Sequence, residues 1–336
     1  METTESTPTI ANAIEGYVKL IKQMRSENTA LTYSKALKEF KKNLVRTKID
    51  PENSPVSVMT EDIITEFILH LGASTPATEQ LYVGVILRFF KHLVGEGLVN
   101  VNLPRIQLLA KQHTRKAAIR LPHVNINNVE RVLDFISNID SLTVCYETER
   151  LRTLRDPAFL LTLADTGLRV HEACELQRGD VDWSKAYAIV VKGGKREIIR
   201  FTSRSMHALK DYLVLRAELD SKSGKPLTAL PLFARHDKGT GKKVKPITPT
   251  TGRNIIAERV KQVLGNEAEG HITPHSFRHY FVSTILRSSG NLKLAQALAR
   301  HENIQITQRY AHIDDDELDK GYYEIFEKRD TTTHRE

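Results

Sequence analysis

The sequence predicts a mainly α-helical protein of two domains, the second carrying one small antiparallel sheet, and three observations lead there. Apolar residues recur at helical spacing through the first hundred positions. Between Gly97 and Asn128 there is no Asp or Glu, while Arg105, Lys111, Arg115, Lys116 and Arg120 are all present, the composition of a basic linker. Past it, helix signals continue but are broken once by the β-branched runs Ala186 to Val191 and Glu197 to Phe201. These flank Lys192-Gly193-Gly194-Lys195, a hairpin signature. At roughly 100 to 200 residues per domain, 336 residues with 40% hydrophobic content support two cores. The expected division is 1–105, a linker over 106–120, and 121–336.

Four helices are expected in the first domain. Ile14, Tyr17, Val18, Ile21 and Met24 share one helix face, and Tyr33, Leu37, Phe40 and Leu44 share another. Thr60 reads as an N-cap with Met59 and Ile64 as a hydrophobic staple, and Thr75-Pro76 as an N-cap followed by proline at the first helical position. The helix through Leu81 to Leu93 stops at Gly95 and Gly97. In the second domain, Asp156-Pro157 starts a helix that Gly167 ends. Thr202, Thr248-Pro249, Thr273-Pro274 and Asn291 each precede a further helix, and Arg235 to Lys245 reads as a mobile surface loop.

Composition excludes several classes of function. Two distant cysteines, Cys145 and Cys174, supply neither a disulfide framework nor a cysteine zinc site, which fits a reducing compartment. No apolar run approaches the ~20 residues that span a bilayer, and the polar, acidic start is unlike a secretory signal. A cytoplasmic protein without a membrane partner is expected. The net charge of +8 falls wholly after residue 105, since the first 105 residues carry 12 basic and 12 acidic side chains. A basic second domain with a basic linker points to nucleic acid.

Several cations and imidazoles stand beside structural stops, where a side chain is aimed into a cleft. Arg169 follows the helix ending at Gly167. His275 and Arg278 share one face of the first turn after Pro274, where free backbone N–H groups favour an anion. Lys192 stands at the hairpin tip, His301 follows an apolar helix, and Tyr310 comes nine residues later. Taken singly, each is more often a cap, a turn residue or a surface group. As a set, two Arg, one Lys and two His with no pair of carboxylates suit phosphodiester chemistry carried by side chains alone. His271, His275 and His279 also recur every four residues, a spacing able to chelate zinc, but Pro274 interrupts their face and no acid lies between them. The phosphodiester reading is preferred, with no metal.

In these blocks the sequence resembles the tyrosine recombinases, or phage integrase family. The resemblance runs in order through Thr166-Gly167-Leu168-Arg169-Val170-His171-Glu172, Val190-Val191-Lys192-Gly193-Gly194-Lys195, His275-Ser276-Phe277-Arg278-His279, Ala299-Arg300-His301 and Thr307-Gln308-Arg309-Tyr310-Ala311-His312. It implies an N-terminal four-helix core-binding (SAM-like) domain and a mostly helical catalytic domain. It further implies Tyr310 as the nucleophile, forming a 3′-phosphotyrosyl bond. Arg169 and Arg278 would hold the non-bridging oxygens, Lys192 would protonate the leaving 5′-oxygen, His275 would assist proton transfer, and His301 would bond to the same phosphate. Glu172 would orient this group.

Two positions depart from the family pattern. Val191 stands where a glycine often precedes the lysine, leaving Lys195 as a rival to Lys192. Arg300 replaces the glycine of a more usual Leu-Gly-His, which is expected to change that turn.

The resemblance implies a partner, double-stranded DNA recombination sites clamped by both domains, with linker residues Arg105, Lys111, Arg115, Lys116 and Arg120 on the phosphate backbone. It also implies a homotetramer on DNA, exchange through a Holliday junction, and no cofactor. The segment Asp314 to Phe326, acidic and then apolar, would dock on a neighbouring protomer. The first domain has room for one DNA-binding module, which favours a simple recombinase of the chromosome-dimer, transposon or plasmid type. A type IB topoisomerase and a non-catalytic DNA-binding regulator of the same fold are the alternatives.

Overall fold

The computed structural model describes residues 7–116, 125–138, 146–192, 194–237, 243–268, 270–301, 303, 304 and 307. The chain forms two compact units, Met1–Arg120 and Leu121–Glu336.

In the first unit the apolar spacing becomes helices α1 (Ile10–Met24), α2 (Glu27–Arg46), α3 (Ile63–His70), α4 (Pro76–Gly95) and α5 (Leu103–His113). Thr9, Ser26 and Thr75 each accept a hydrogen bond from a backbone N–H three residues on, satisfying one donor that the first turn leaves open. The core gathers Phe40, Phe67, Phe89 and Phe90, all fully buried, with Phe40 and Phe67 edge to face at 5.3 Å. Each such ring contributes about 1.5 to 3 kcal/mol by leaving water.

Two expectations fail in this unit. Thr60 does not cap α3, which begins at Ile63 after Asp62; the neighbouring Glu61 carboxylate instead accepts the Asn102 N–H at 2.8 Å. The linker expected over 106–120 is helical through His113, so the described residues of this unit hold five α-helices. The reason is a second apolar face, on which Ile106 and Ala110 are buried and Leu103 and Leu109 pack partly against the same core. Asn102 caps the helix and Pro104 sits in its first turn, signals that the charge count obscured. The residues after α5 are also anchored. Buried Glu79 accepts the backbone N–H of Arg115 at 2.7 Å and its Nε at 2.6 Å, while Arg115 Nη2 donates to the Ser74 carbonyl at 2.7 Å.

The second unit contains α6 (Ile126–Ser137), α7 (Glu147–Thr166), α8 (Val170–Glu175), β1 (Val181–Asp182), β2 (Tyr187–Lys192), β3 (Lys195–Arg200), α9 (Ser203–Leu215), α10 (Ala217–Ser221), α11 (Pro249–Leu264), α12 (Pro274–Ser289) and α13 (Leu292–Ala299). The strands form one antiparallel sheet in the order β1-β2-β3, with Val190 opposite Glu197 and Lys192 opposite Lys195. This confirms the predicted hairpin and the mainly helical class.

Helix α7 is buried continuously from Arg155 to Ala164, as a helix enclosed by others must be. It starts nine residues before the expected Asp156-Pro157 boundary and carries Pro157 inside it. The Asp156 carboxylate is not a cap; it binds Arg155 at 2.6 Å and Arg259 of α11 at 2.7 Å. Close approach of α11 depends on Gly252, where a Cβ would lie 2.9 Å from both Phe159 and Val170.

Behind α9 lies a buried polar network. Arg216 donates to Asp220, the Tyr212 hydroxyl and the carbonyls of Leu232 and Pro231 at 2.8 to 3.0 Å. The loop expected to be mobile is held at its stems, where Arg235 N–H donates to the Lys245 carbonyl at 2.9 Å and His236 is buried against Tyr212.

Candidate active site

The site is built on the end of α7. Gly167 stops the helix in the left-handed conformation (φ 61°), and a Cβ there would collide with the Phe281 ring of α12. This turn brings Arg169 to the N-cap of α8. The Glu172 carboxylate, one turn on, accepts the Arg169 backbone N–H at 2.8 Å and its Nη1 at 3.1 Å. Burial alone would push the Glu172 carboxyl up, but the Arg169 N–H and the guanidinium groups of Arg300 and Arg169 hold it below the usual carboxylate range. Glu172 is therefore an ionised anchor that leaves the site with a surplus of positive charge.

Helix α12 supplies the opposite wall. Thr273 precedes it with its backbone N–H on Ser276 Oγ at 3.0 Å, and Pro274 opens its first turn. Arg278 is 5% exposed and its guanidinium donates to the carbonyls of Gly167 and Ala299, joining the ends of α7 and α13. His275 lies at the solvent edge of this group. Partial burial, then the charges of Arg278, Arg169 and Arg253, lower its pKa, so the imidazole is neutral at neutral pH. His279, one turn on, is lowered to about 4 by burial, His275 and Arg278.

His301 is buried after the end of α13, with Nδ1 2.8 Å from the Thr307 hydroxyl and its N–H donating to the Gln296 carbonyl at 3.1 Å. The turn before it is not altered as expected. Arg300 keeps the left-handed conformation (φ 56°, ψ 43°) that a glycine favours, and turns its side chain inward to Glu172 at 2.8 Å and Glu197 of β3 at 3.5 Å.

Glu172 thus links Arg169 to Arg300, Arg278 ties the turn before Arg169 to the turn before His301, and His275 lies within electrostatic reach of Arg278 and Arg169. The Lys192 backbone ends β2 opposite Lys195, on the hairpin whose Glu197 reaches Arg300; the Lys192 side chain lies outside the described part of the structure. Tyr310 and Arg120 lie outside the described residues, as do Cys145 and the segment 314–326. Of the expected phosphate contacts in the linker, Arg105 pairs with Asp62 at 3.1 Å and Arg115 is held by Glu79, while Lys111 and Lys116 are exposed. Arg300, Glu197, Thr307 and Arg253 have no site role in the sequence reading. For Arg300 a signal existed, a long cation where the chain must turn left-handed directly before the site histidine.

Guanidinium groups near a neutral imidazole, at the first turn of a 16-residue helix, are the donor chemistry that suits an anion of phosphate geometry. A family model described as the phage integrase family matches residues 125–317. The tyrosine recombinase XerC of Pelobacter propionicus is 30% identical over 88% of this chain and 88% of its own, and that of Pediococcus pentosaceus is 27% identical over 91% and 94%. Among solved structures, the XerH recombinase bound to a difH substrate aligns with a TM-score of 0.65 at 18% identity, over 92% of this chain and 83% of its own. The Tn1549 transposon integrase with circular-intermediate DNA aligns with a TM-score of 0.64 at 18% identity, over 94% and 99%. The chain belongs to the phage integrase family. It is an enzyme of the tyrosine recombinase type.

Proposed function

We propose that this enzyme recombines double-stranded DNA at specific sites through a 3′-phosphotyrosyl intermediate and a Holliday junction, with neither metal nor ATP. The observation that carries the reading is that Arg278 is bonded to the turn that ends α7 and precedes Arg169, with His275 under the electrostatic influence of both arginines and Glu172 already balanced by two guanidinium groups. Forked donors on the non-bridging oxygens stabilise the charge of a pentacoordinate phosphorus. The Tyr310 oxygen attacks that phosphorus and the bond to the 5′-oxygen breaks; the leaving oxygen takes a proton from Lys192 and departs as a 5′-hydroxyl. His275, neutral under the influence of both arginines, takes up the phenolic proton that Tyr310 loses as its oxygen bonds to phosphorus, and His301 bonds to the same phosphate. The phosphotyrosyl bond conserves the energy of the phosphodiester, so rejoining needs no nucleotide.

The working form is a tetramer on two DNA sites, with residues 314–326 docking between protomers and Lys111, Lys116 and Arg120 on the backbone. No helix among the described residues is long and apolar enough to cross a membrane, and the reading places the protein in the cytoplasm with its DNA.

Half-site suicide substrates of the cognate DNA, incubated with EDTA, test the chemistry. A covalent adduct that persists in chelator and disappears in Tyr310→Phe supports it, and no adduct on a demonstrated cognate site overturns it. A four-way junction formed from two marked sites distinguishes recombination from simple relaxation of one duplex. Truncation after residue 312 tests docking, which is overturned if the truncated protein still assembles and recombines normally.

A further inference from the structure

Arg300 is buried, 7% exposed, and holds a backbone conformation that L-residues rarely adopt. A glycine would take that turn without strain, so a side chain retained there needs a reason. Its guanidinium lies between two carboxylates on different elements: Glu172 of α8 at 2.8 Å and Glu197 of β3 at 3.5 Å. Glu172 is the group that holds both the backbone and the guanidinium of Arg169. Glu197 lies on the strand whose Lys195 pairs with Lys192, and the residue after Arg300 is His301.

We propose that Arg300 is a positioning residue for the cleavage reaction. Through one guanidinium it fixes the anchor of Arg169, the lysine-bearing hairpin and the turn that presents His301, so three groups are held in mutual register without Arg300 touching DNA. The inference rests on the recombinase reading. In a buried site, an ion pair to each carboxylate gives direction as well as charge balance, because the planar fork fixes the angle between its two partners.

The test is single-turnover cleavage of a half-site suicide substrate by wild type, Arg300→Gly and Arg300→Lys, with DNA affinity measured alongside. Glycine suits the turn, so Arg300→Gly is expected to fold and to bind DNA within about threefold of wild type. Its cleavage rate should fall about 30- to 100-fold, the scale of a small misplacement of reacting groups. Millimolar guanidinium chloride, but not sodium chloride, should restore part of that rate by filling the vacated place. Arg300→Lys should fall between, because an ammonium cannot span both carboxylates.

A wild-type adduct with Arg300→Gly cleaving within twofold of wild type overturns the positioning role alone. So does a slow Arg300→Gly that guanidinium does not accelerate. Absence of the adduct in wild type overturns the recombinase reading itself and this role with it.

Discussion

The guanidinium of Arg278 donates to the backbone carbonyl of Gly167, 111 residues earlier in the chain. Its other terminal nitrogen donates to Ala299, so one buried cation holds together the turn before Arg169 and the turn before His301. The left-handed Gly167, packed on Phe281, makes that closeness possible. Gly167→Ala combines a positive φ with a ring collision and is expected to cost about 2 to 4 kcal/mol. Denaturant melts check this, and adding Phe281→Leu should recover part of the loss.

Arg169 and Arg278 should separate in their effects. Arg169 is 30% exposed in its side chain, and its partner Glu172 keeps Arg300 when it is removed. Arg169→Ala is expected to slow cleavage by about 10²- to 10³-fold, as loss of a charge-stabilising donor does, with a melting midpoint near that of wild type. Arg278→Ala should lose both activity and stability, since two buried carbonyls lose their donor. Calorimetry beside single-turnover rates distinguishes the two.

Acid should destabilise the second unit before it protonates most carboxylates. The Tyr212 oxygen accepts hydrogen bonds from Arg216 and from Ala234 N–H, so its own proton goes to Nε2 of His236, which must be an unprotonated acceptor. Burial, followed by the charges of Arg155, Arg216 and Arg152, lowers the His236 pKa to about 3. The unfolded chain binds this proton below about pH 6.5 while the folded one does not until about pH 3. Stability is therefore complete above pH 6.5 and falls toward pH 3, by about 1.4 kcal/mol per unit for one such group. Urea melts from pH 7 to 4 should show this slope, flattened in His236→Gln; an unchanged slope in the variant would sink the assignment.

The basic stretch after residue 97 should divide into anchors and DNA contacts. Arg115→Ala leaves the buried Glu79 carboxylate without its guanidinium and is expected to destabilise the first unit by about 3 kcal/mol. Lys111→Ala and Lys116→Ala should leave the melt unchanged and each reduce the log–log salt slope of DNA binding by about 0.9. Thermal melts and salt-titrated binding of the three variants check the division.

Much of the fold was legible because its signals are local. Thr75-Pro76, Thr202, Thr248-Pro249 and Asn291 cap helices as their side-chain chemistry requires, and Gly167 ends α7 in the conformation its missing Cβ allows. The Asp156-Pro157 boundary misled because Asp156 is consumed by Arg155 and Arg259, the latter 103 positions away. The start of α5 is hidden in the sequence because an acid-free stretch with scattered basic residues reads as a linker and masks the spacing of Leu103, Ile106 and Ala110.

The linear order of residues sets which side chains are available to the site: Arg169, the lysine hairpin, His275 with Arg278, His301 and Tyr310. Helical periodicity and capping residues act over a few positions and can be read directly. It takes the folded chain to make Arg278 close two turns and Glu172 serve two arginines. Folding also turns Arg300, at a position where the family pattern has glycine, inward to bind carboxylates on α8 and β3. Those choices depend on burial, which makes an unpaired charge costly and so selects partners from distant parts of the chain.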